Sequence, residues 1–294
     1  MSEAVTPVMY AEPAFHRIPL MDENGVDIQV LSVGDMYTCI SNELDADIAF
    51  DRARKANDYL YDTMQQYPDR LRGFGVLAMQ DPARAVQELE RCVKQLGFVG
   101  IMVHGATNFH YYDEPQFFPV WDKMEELAVP FYLHVANPQA DQISMYEGHP
   151  IMLGNTWNWG VVAATHALRL VFSGLFDRFP RAQFILGHMG EGIPYVLGRL
   201  DDGYDCRRGL VKDKMKNPPS YYIKNNFYIT TAGEYRPEAM KCAIEAIGAD
   251  RILFANDYPH FSLEKSIAQI EACNLTQEQT ELIYHKNAER LMGI

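Results

Sequence analysis

The sequence predicts a single (β/α)8 barrel, and three observations carry that prediction. Strand-like and helix-like patterns alternate from the first tenth of the chain to its end. The strand-like runs are continuously apolar, as in strands buried on both faces of a parallel sheet. No repeat, low-complexity stretch or linker interrupts the 294 residues, so 1–294 reads as one domain. The clear runs are 27–33 (DIQVLSV), 72–78 (RGFGVLA), 99–104 (VGIMVH), 130–135 (PFYLHV), 183–188 (QFILGH), 227–231 (FYITT) and 251–257 (RILFAND). Seven such runs leave a doubly wound sheet and a barrel both open. An eighth strand at 7–12 (PVMYAE) would close the barrel. Helical periodicity fills the intervals, longest at 42–67 and clearest at 81–95. In the second, Asp81 is placed to cap, Pro82 opens the first turn and Gly97 follows the end.

Composition narrows the function. Hydrophobic residues make up 48% and charged residues 22%, an ordinary globular balance. A net charge of −13 argues against nucleic acid or an anionic membrane as partner. It also means that an anionic substrate needs local positive charge, from a metal ion or an arginine. The cysteines Cys39, Cys92, Cys206, Cys242 and Cys273 show no paired spacing and read as reduced thiols. The first ten residues lack a basic stretch followed by an apolar run, and no segment is apolar enough to span a bilayer. A cytoplasmic protein is expected.

Catalytic groups of such barrels project from the C-terminal ends of strands. Three runs end in a residue able to bind metal or move a proton: His134, His188 and Asp257. One strand-end histidine is as well explained by packing, but three at one end of a parallel sheet point to a metal or acid–base site. Glu12 joins them if 7–12 is a strand. Imidazole with carboxylate suits Zn2+, Mn2+ or Mg2+. His104 and Gly105 stand where a bridging lysine would be needed for two metals, so one ion is expected. Glu191 follows His188 by about one helical turn, and either orients the imidazole or favours the dipole of the next helix. Arg199, about three turns along the same helix, is placed to meet a carboxylate, a neighbouring subunit or a surface acid. Residues 137–155 form the least regular region and read as a long loop over the mouth. Trp157 and Trp159 suit a pocket or an interface; Tyr111, Tyr112, Phe117, Phe118 and Trp121 suit core or subunit contact; Asp45, Asp47 and Asp51 suit a solvated helix face.

These residues resemble the metal-dependent amidohydrolase-2 group, in the branch of aminocarboxymuconate semialdehyde and hydroxybenzoate decarboxylases. The likeness is greatest to the γ-resorcylate and 2,3-dihydroxybenzoate decarboxylases. It runs from about residue 22 to 294 through 22–32 (DENGVDIQVLS), 132–134 (YLH), 173–180 (SGLFDRFP), 187–191 (GHMGE) and 254–259 (FANDYP). The resemblance implies a distorted barrel, His134 and Asp257 as metal ligands, and His188 supported by Glu191 as acid–base partner. Arg199 sits where those decarboxylases place a relay arginine. Glu12 matches the glutamate of a first-strand Glu-x-His, with Ala14 in the histidine's place and a shorter stretch before the first helix. The expected activity is non-oxidative decarboxylation of a hydroxylated aromatic or related unsaturated acid, with one divalent ion, Asp257 or His188 delivering the proton, and a homo-dimer or homo-tetramer. A hydrolase or hydratase with Asp257 as base, and a silent barrel serving as a binding subunit, are the alternatives.

Overall fold

The computed structural model describes residues 13–33, 44–210 and 215–294. Its strands are β1 (Gln29–Leu31), β2 (Leu71–Val76), β3 (Gly100–His104), β4 (Phe131–His134), β5 (Phe184–Leu186), β6 (Phe227–Thr230) and β7 (Ile252–Leu253). The helices are α1 (Pro13–Glu23), α2 (Ala46–Gln66), α3 (Pro82–Lys94), α4 (Phe118–Leu127), α5 (Asn158–Phe172), α6 (Leu175–Arg178), α7 (Leu197–Arg207), α8 (Pro219–Asn226), α9 (Pro237–Ile247), α10 (Leu263–Glu271), α11 (Gln277–Glu281) and α12 (Asn287–Met292).

Each strand pairs in parallel with its successor, in the order β1 to β7. A doubly wound sheet reverses its strand order partway. This sheet does not, so it curls in one sense and the doubly wound alternative falls. The expected strand at 7–12 lies outside the described residues. The predicted runs 183–188 and 251–257 are shorter as strands, because their polar ends leave the ladder and turn to the cavity.

Strand alternation sorts the side chains into two cores. Phe74, Met102, Tyr132, Ile185, Tyr228 and Leu253 form one cluster, closed from below by Leu291. Their chain neighbours Ile101, Phe131, Leu133, Phe184, Phe227, Ile229 and Ile252 join the larger cluster under the helices. The first set faces the inside of the curl. The same parity carries His104, two residues beyond Met102, and His134, two beyond Tyr132, to the inner face at the strand ends.

Helix starts follow local chemistry. Asp81 accepts from the backbone N–H groups of Ala83 and Arg84, with Pro82 at the first position of α3. Asp45, Asp47 and Asp51 are exposed as expected, and Asp45 also caps α2 through the N–H groups of Asp47 and Ile48. Glu88 of α3 is buried, and holds α2 and β2 together. It accepts from Asn57 Nδ2 at 2.8 Å and from the Arg91 guanidinium at 2.9 and 2.8 Å. Asn57 in turn exchanges hydrogen bonds with the backbone of Val76. Tyr112, Phe117 and Trp121 are core. Cys92, Cys206, Cys242 and Cys273 are free thiols, and no described helix is long and apolar enough to cross a membrane.

Candidate active site

A cavity of about 2270 Å3 opens at the C-terminal ends of the strands. Arg17, His104, His134, His188, Glu191 and Asp257 line it, together with Trp157 and Trp159, two residues expected at a pocket or an interface. The space far exceeds one small ligand, so a few polar groups must set a ligand's position.

His134 ends β4, and its Nδ1 lies 3.0 Å from the Val135 carbonyl oxygen. A carbonyl only accepts, so Nδ1 donates this hydrogen bond, and Nε2 is the ring atom that could serve a metal. His104 is its register partner on β3, with the rings 4.7 Å apart edge to face. Burial, and then the neighbouring His134, push the His104 pKa well below the usual imidazole range, so it stays neutral.

On the other side of His134, the His188 ring lies 6.0 Å away, centroid to centroid. His188 Nδ1 meets Glu191 Oε1 at 2.5 Å. The sequence reading put this contact on one turn of a right-handed helix. The structure makes it differently: His188, Met189, Gly190, Glu191 and Gly192 all have positive φ, between +48° and +78°. Three of these residues are not glycine, and a left-handed residue with a Cβ costs about 1–2 kcal/mol. Buried Met189 helps to hold the turn down. Gly190 permits it, since a Cβ there would meet Ile229 Cγ2 at 2.9 Å. Two further glycines make room. A Cβ on Gly160 would lie 2.7 Å from Glu191 Oε2, and one on Gly233 would lie 3.0 Å from His188 Cδ2. Burial lowers the His188 pKa, but the hydrogen bond and charge of Glu191, with the charge of Asp257, outweigh it and leave the pKa raised.

Asp257 follows β7 with φ at +60°, a conformation uncommon outside glycine, though aspartate tolerates it better than most. The segment before it is fastened to β6. Thr231 Oγ1 donates to the Ala255 carbonyl oxygen and accepts from the Ala255 N–H, while the Tyr235 hydroxyl donates to the Asn256 carbonyl oxygen. Strain of this kind, fixed by its surroundings, gathers at functional sites. The next peptide bond, Tyr258–Pro259, is cis.

Arg17 is the site residue that sequence reasoning missed. It sits on α1, and its guanidinium donates to Gln29 Oε1 at 3.3 Å and to the Tyr258 carbonyl oxygen at 3.2 Å. It also lies 4.7 Å from the centre of the Tyr258 ring. Burial lowers its pKa to about 10, offset in part by Tyr258, so it remains a cation at neutral pH. An arginine inside the apolar stretch 14–21 was the one available signal, because its partner Tyr258 is 241 residues away.

Two side chains of unlike kind therefore line the cavity, the imidazole of His134 and the carboxylate of Asp257. Both suit a divalent cation. No three histidine, cysteine, aspartate or glutamate side chains among the described residues are grouped to hold one. Glu12, the expected third ligand, lies outside the described residues. Ala14, buried on α1, brings no donor. Arg199 is exposed on α7 and stands off the cavity wall. It is not on one continuous helix with His188, since the left-handed turn and a 3-10 turn at Ile193–Val196 come between.

The family model described as amidohydrolase matches residues 9–294. The chain belongs to the amidohydrolase family. As an amidohydrolase it is 41% identical to the γ-resorcylate decarboxylase of Polaromonas sp. (strain JS666), over 95% of this chain and 86% of that one. Its structure superposes on a dihydroxybenzoic acid decarboxylase from Polaromonas sp. JS666, solved with manganese and the inhibitor 2-nitroresorcinol. That match has a TM-score of 0.88 and 40% identity, over 95% of this chain and 85% of that one. It also superposes on the 5-carboxyvanillate decarboxylase of Sphingomonas paucimobilis, with a TM-score of 0.89 and 35% identity over 95% and 82% of the two chains.

Proposed function

We propose that this amidohydrolase is a metal-dependent carboxy-lyase that releases CO2 from a hydroxylated aromatic acid. One observation carries the reading: His134, Asp257 and the His188–Glu191 pair share one cavity, in a chain whose near full-length relatives are decarboxylases of such acids. His134 Nε2 and the Asp257 carboxylate would hold the ion, with Glu12 as third ligand on a strand at 7–12 that closes the barrel. A divalent ion there supplies positive charge for the substrate's acid and ring oxygens.

The chain's own residues supply the proton. Replacing a carbon–carboxylate bond by a carbon–hydrogen bond without redox chemistry requires one proton at that carbon. His188 holds it, because Glu191 stabilises the imidazolium against burial, and Nε2 is the ring atom left to face the cavity. Asp257 is the alternative carrier, but a carboxylate bound to metal is a poor acid. Trp157, Trp159 and Met102 give the cavity apolar wall suited to an aromatic ring. Met145, Ile151 and Tyr195 expose 70%, 76% and 83% of their surface. Their exposure, with exposed Arg199, supports a homo-dimer or homo-tetramer, and the cytoplasm is the expected location.

Protein loaded with manganese and given a panel of hydroxybenzoates, with products separated by chromatography, tests the reading. The expected result is a phenol and CO2 in equal amounts from at least one acid. Hydrolysis of ester or amide substrates with no CO2 from any acid would replace it with the hydrolase reading.

A further inference from the structure

We propose that Arg17 docks the substrate's carboxylate, as a binding and specificity-determining residue on the side of the cavity next to Asp257. The inference rests on the carboxylic-acid reading above. Arg17 Nε is buried without a hydrogen-bond partner. The other two nitrogens meet only neutral oxygens, at 3.3 and 3.2 Å, longer than a charged contact prefers. Among the described residues no carboxylate pairs with the guanidinium, which lies 4.7 Å from the centre of the Tyr258 ring. A largely enclosed cation with no anion among the described residues is expensive to keep for packing alone. The same side chain lines the cavity and lies against the residue that follows Asp257. It also answers the difficulty posed by a chain of net charge −13, which must draw an anion into its interior. A planar fork of N–H donors fits a carboxylate in two-point contact.

The chemistry fixes the kinetic signature. Negative charge on the carboxylate is greatest in the bound substrate and vanishes as neutral CO2 forms. A cation on that group therefore strengthens substrate binding more than it stabilises the transition state. Arg17 should govern KM and leave kcat nearly alone.

The test uses manganese-loaded protein and two probes that differ by the carboxylate, 2,6-dihydroxybenzoate and resorcinol. R17Q keeps an amide for the Tyr258 carbonyl and removes the charge, R17M removes both, and R17K keeps the charge. Calorimetric binding should weaken about 10–100-fold for the acid in R17Q or R17M, the usual worth of a charged hydrogen bond. Resorcinol affinity should hold within about 3-fold, and R17K should recover most of the acid's advantage. KM should rise in parallel while kcat changes by less than about 5-fold. Either R17Q or R17M suffices if the other fails to fold. Equal weakening of both probes would show a purely structural arginine and overturn the proposal. So would unchanged binding of the acid, or wild-type protein binding the acid no tighter than resorcinol. Tight, Arg17-dependent binding of the acid with no CO2 released would support Arg17 and refute the decarboxylase reading alone.

Discussion

Glu191 Oε1 sits 2.5 Å from His188 Nδ1 across a left-handed turn, and the missing side chains of Gly160 and Gly233 leave room for the pair. The contact fixes the tautomer of the imidazole, aims Nε2 and favours the protonated ring. The first predictions concern this pair.

His188→Asn should lower single-turnover decarboxylation by about 10²–10⁴-fold, the range for a positioned proton donor. Metal content, read by elemental analysis, should stay near the wild-type value. Loss of the metal together with activity would make His188 a ligand.

Glu191→Gln should cost less, about 10–100-fold, and should also move the pH profile. Because the folded pKa of His188 is raised above its usual 6.5, the proton donor persists above that pH and turnover falls as pH rises through the raised value. Without the glutamate charge, burial dominates, so the basic limb should shift to lower pH. Stability follows the same sign: the pair's contribution is full below 6.5 and is lost as pH climbs through the folded pKa. An unshifted basic limb in Glu191→Gln would remove His188 as the titrating group.

Gly160→Ala separates this geometry from helix propensity. In most helices the change stabilises, by up to about 1 kcal/mol. Here the new methyl would lie 2.7 Å from Glu191 Oε2. The variant should unfold no later than wild type in urea and should copy the pH shift of Glu191→Gln. A more stable protein with an unchanged pH profile would mean that Glu191 is free to move aside.

Away from the site, Glu88→Leu should destabilise by about 3–5 kcal/mol, since it leaves one N–H of the buried Asn57 amide unpaired and takes two hydrogen bonds from Arg91, which keeps only Asp58 among the described residues. Urea unfolding of the metal-free protein measures this without reference to activity. A loss below about 1 kcal/mol would show that water replaces the carboxylate easily.

How far the sequence could be read depended on the range of each interaction. Asp81 and Pro82 act within one turn, so the start of α3 was visible at residue level. His134 and Asp257 were visible because a polar residue ending a continuously apolar run has few places to go but the strand end. The curl of the sheet, predicted as a barrel, could not be read from the alternation alone, since seven strands alternating with helices fit two topologies until their pairing order is known. The His188–Glu191 spacing was read as helical. The close fit of Gly190, in the turn after β5, against Ile229 of β6 is a contact between segments distant in sequence. Arg17 escaped because its meaning depends on Gln29 and Tyr258, and because its orphaned Nε is a property of three-dimensional packing. Arg199 looked close to His188 along one helix, but lies on the exposed face of a separate one.

Asp257→Asn should lose turnover at least as fully as His188→Asn and should also weaken the metal, which the histidine variant should retain. Elemental analysis and single-turnover rates on the same preparations compare the two. Asp257→Asn that keeps both metal and rate would move the site away from the end of β7.

The central claim meets its most direct test in decarboxylation of 2,6-dihydroxybenzoate followed by NMR in D2O. Manganese-loaded protein should convert the acid to resorcinol carrying one deuterium at the carbon between the hydroxyls, with one CO2 per deuterium. Chelation should abolish the reaction and added manganese should restore it. This acid and every other hydroxybenzoate of the panel left intact by the loaded protein, or conversion at the same rate after chelation, would contradict the account.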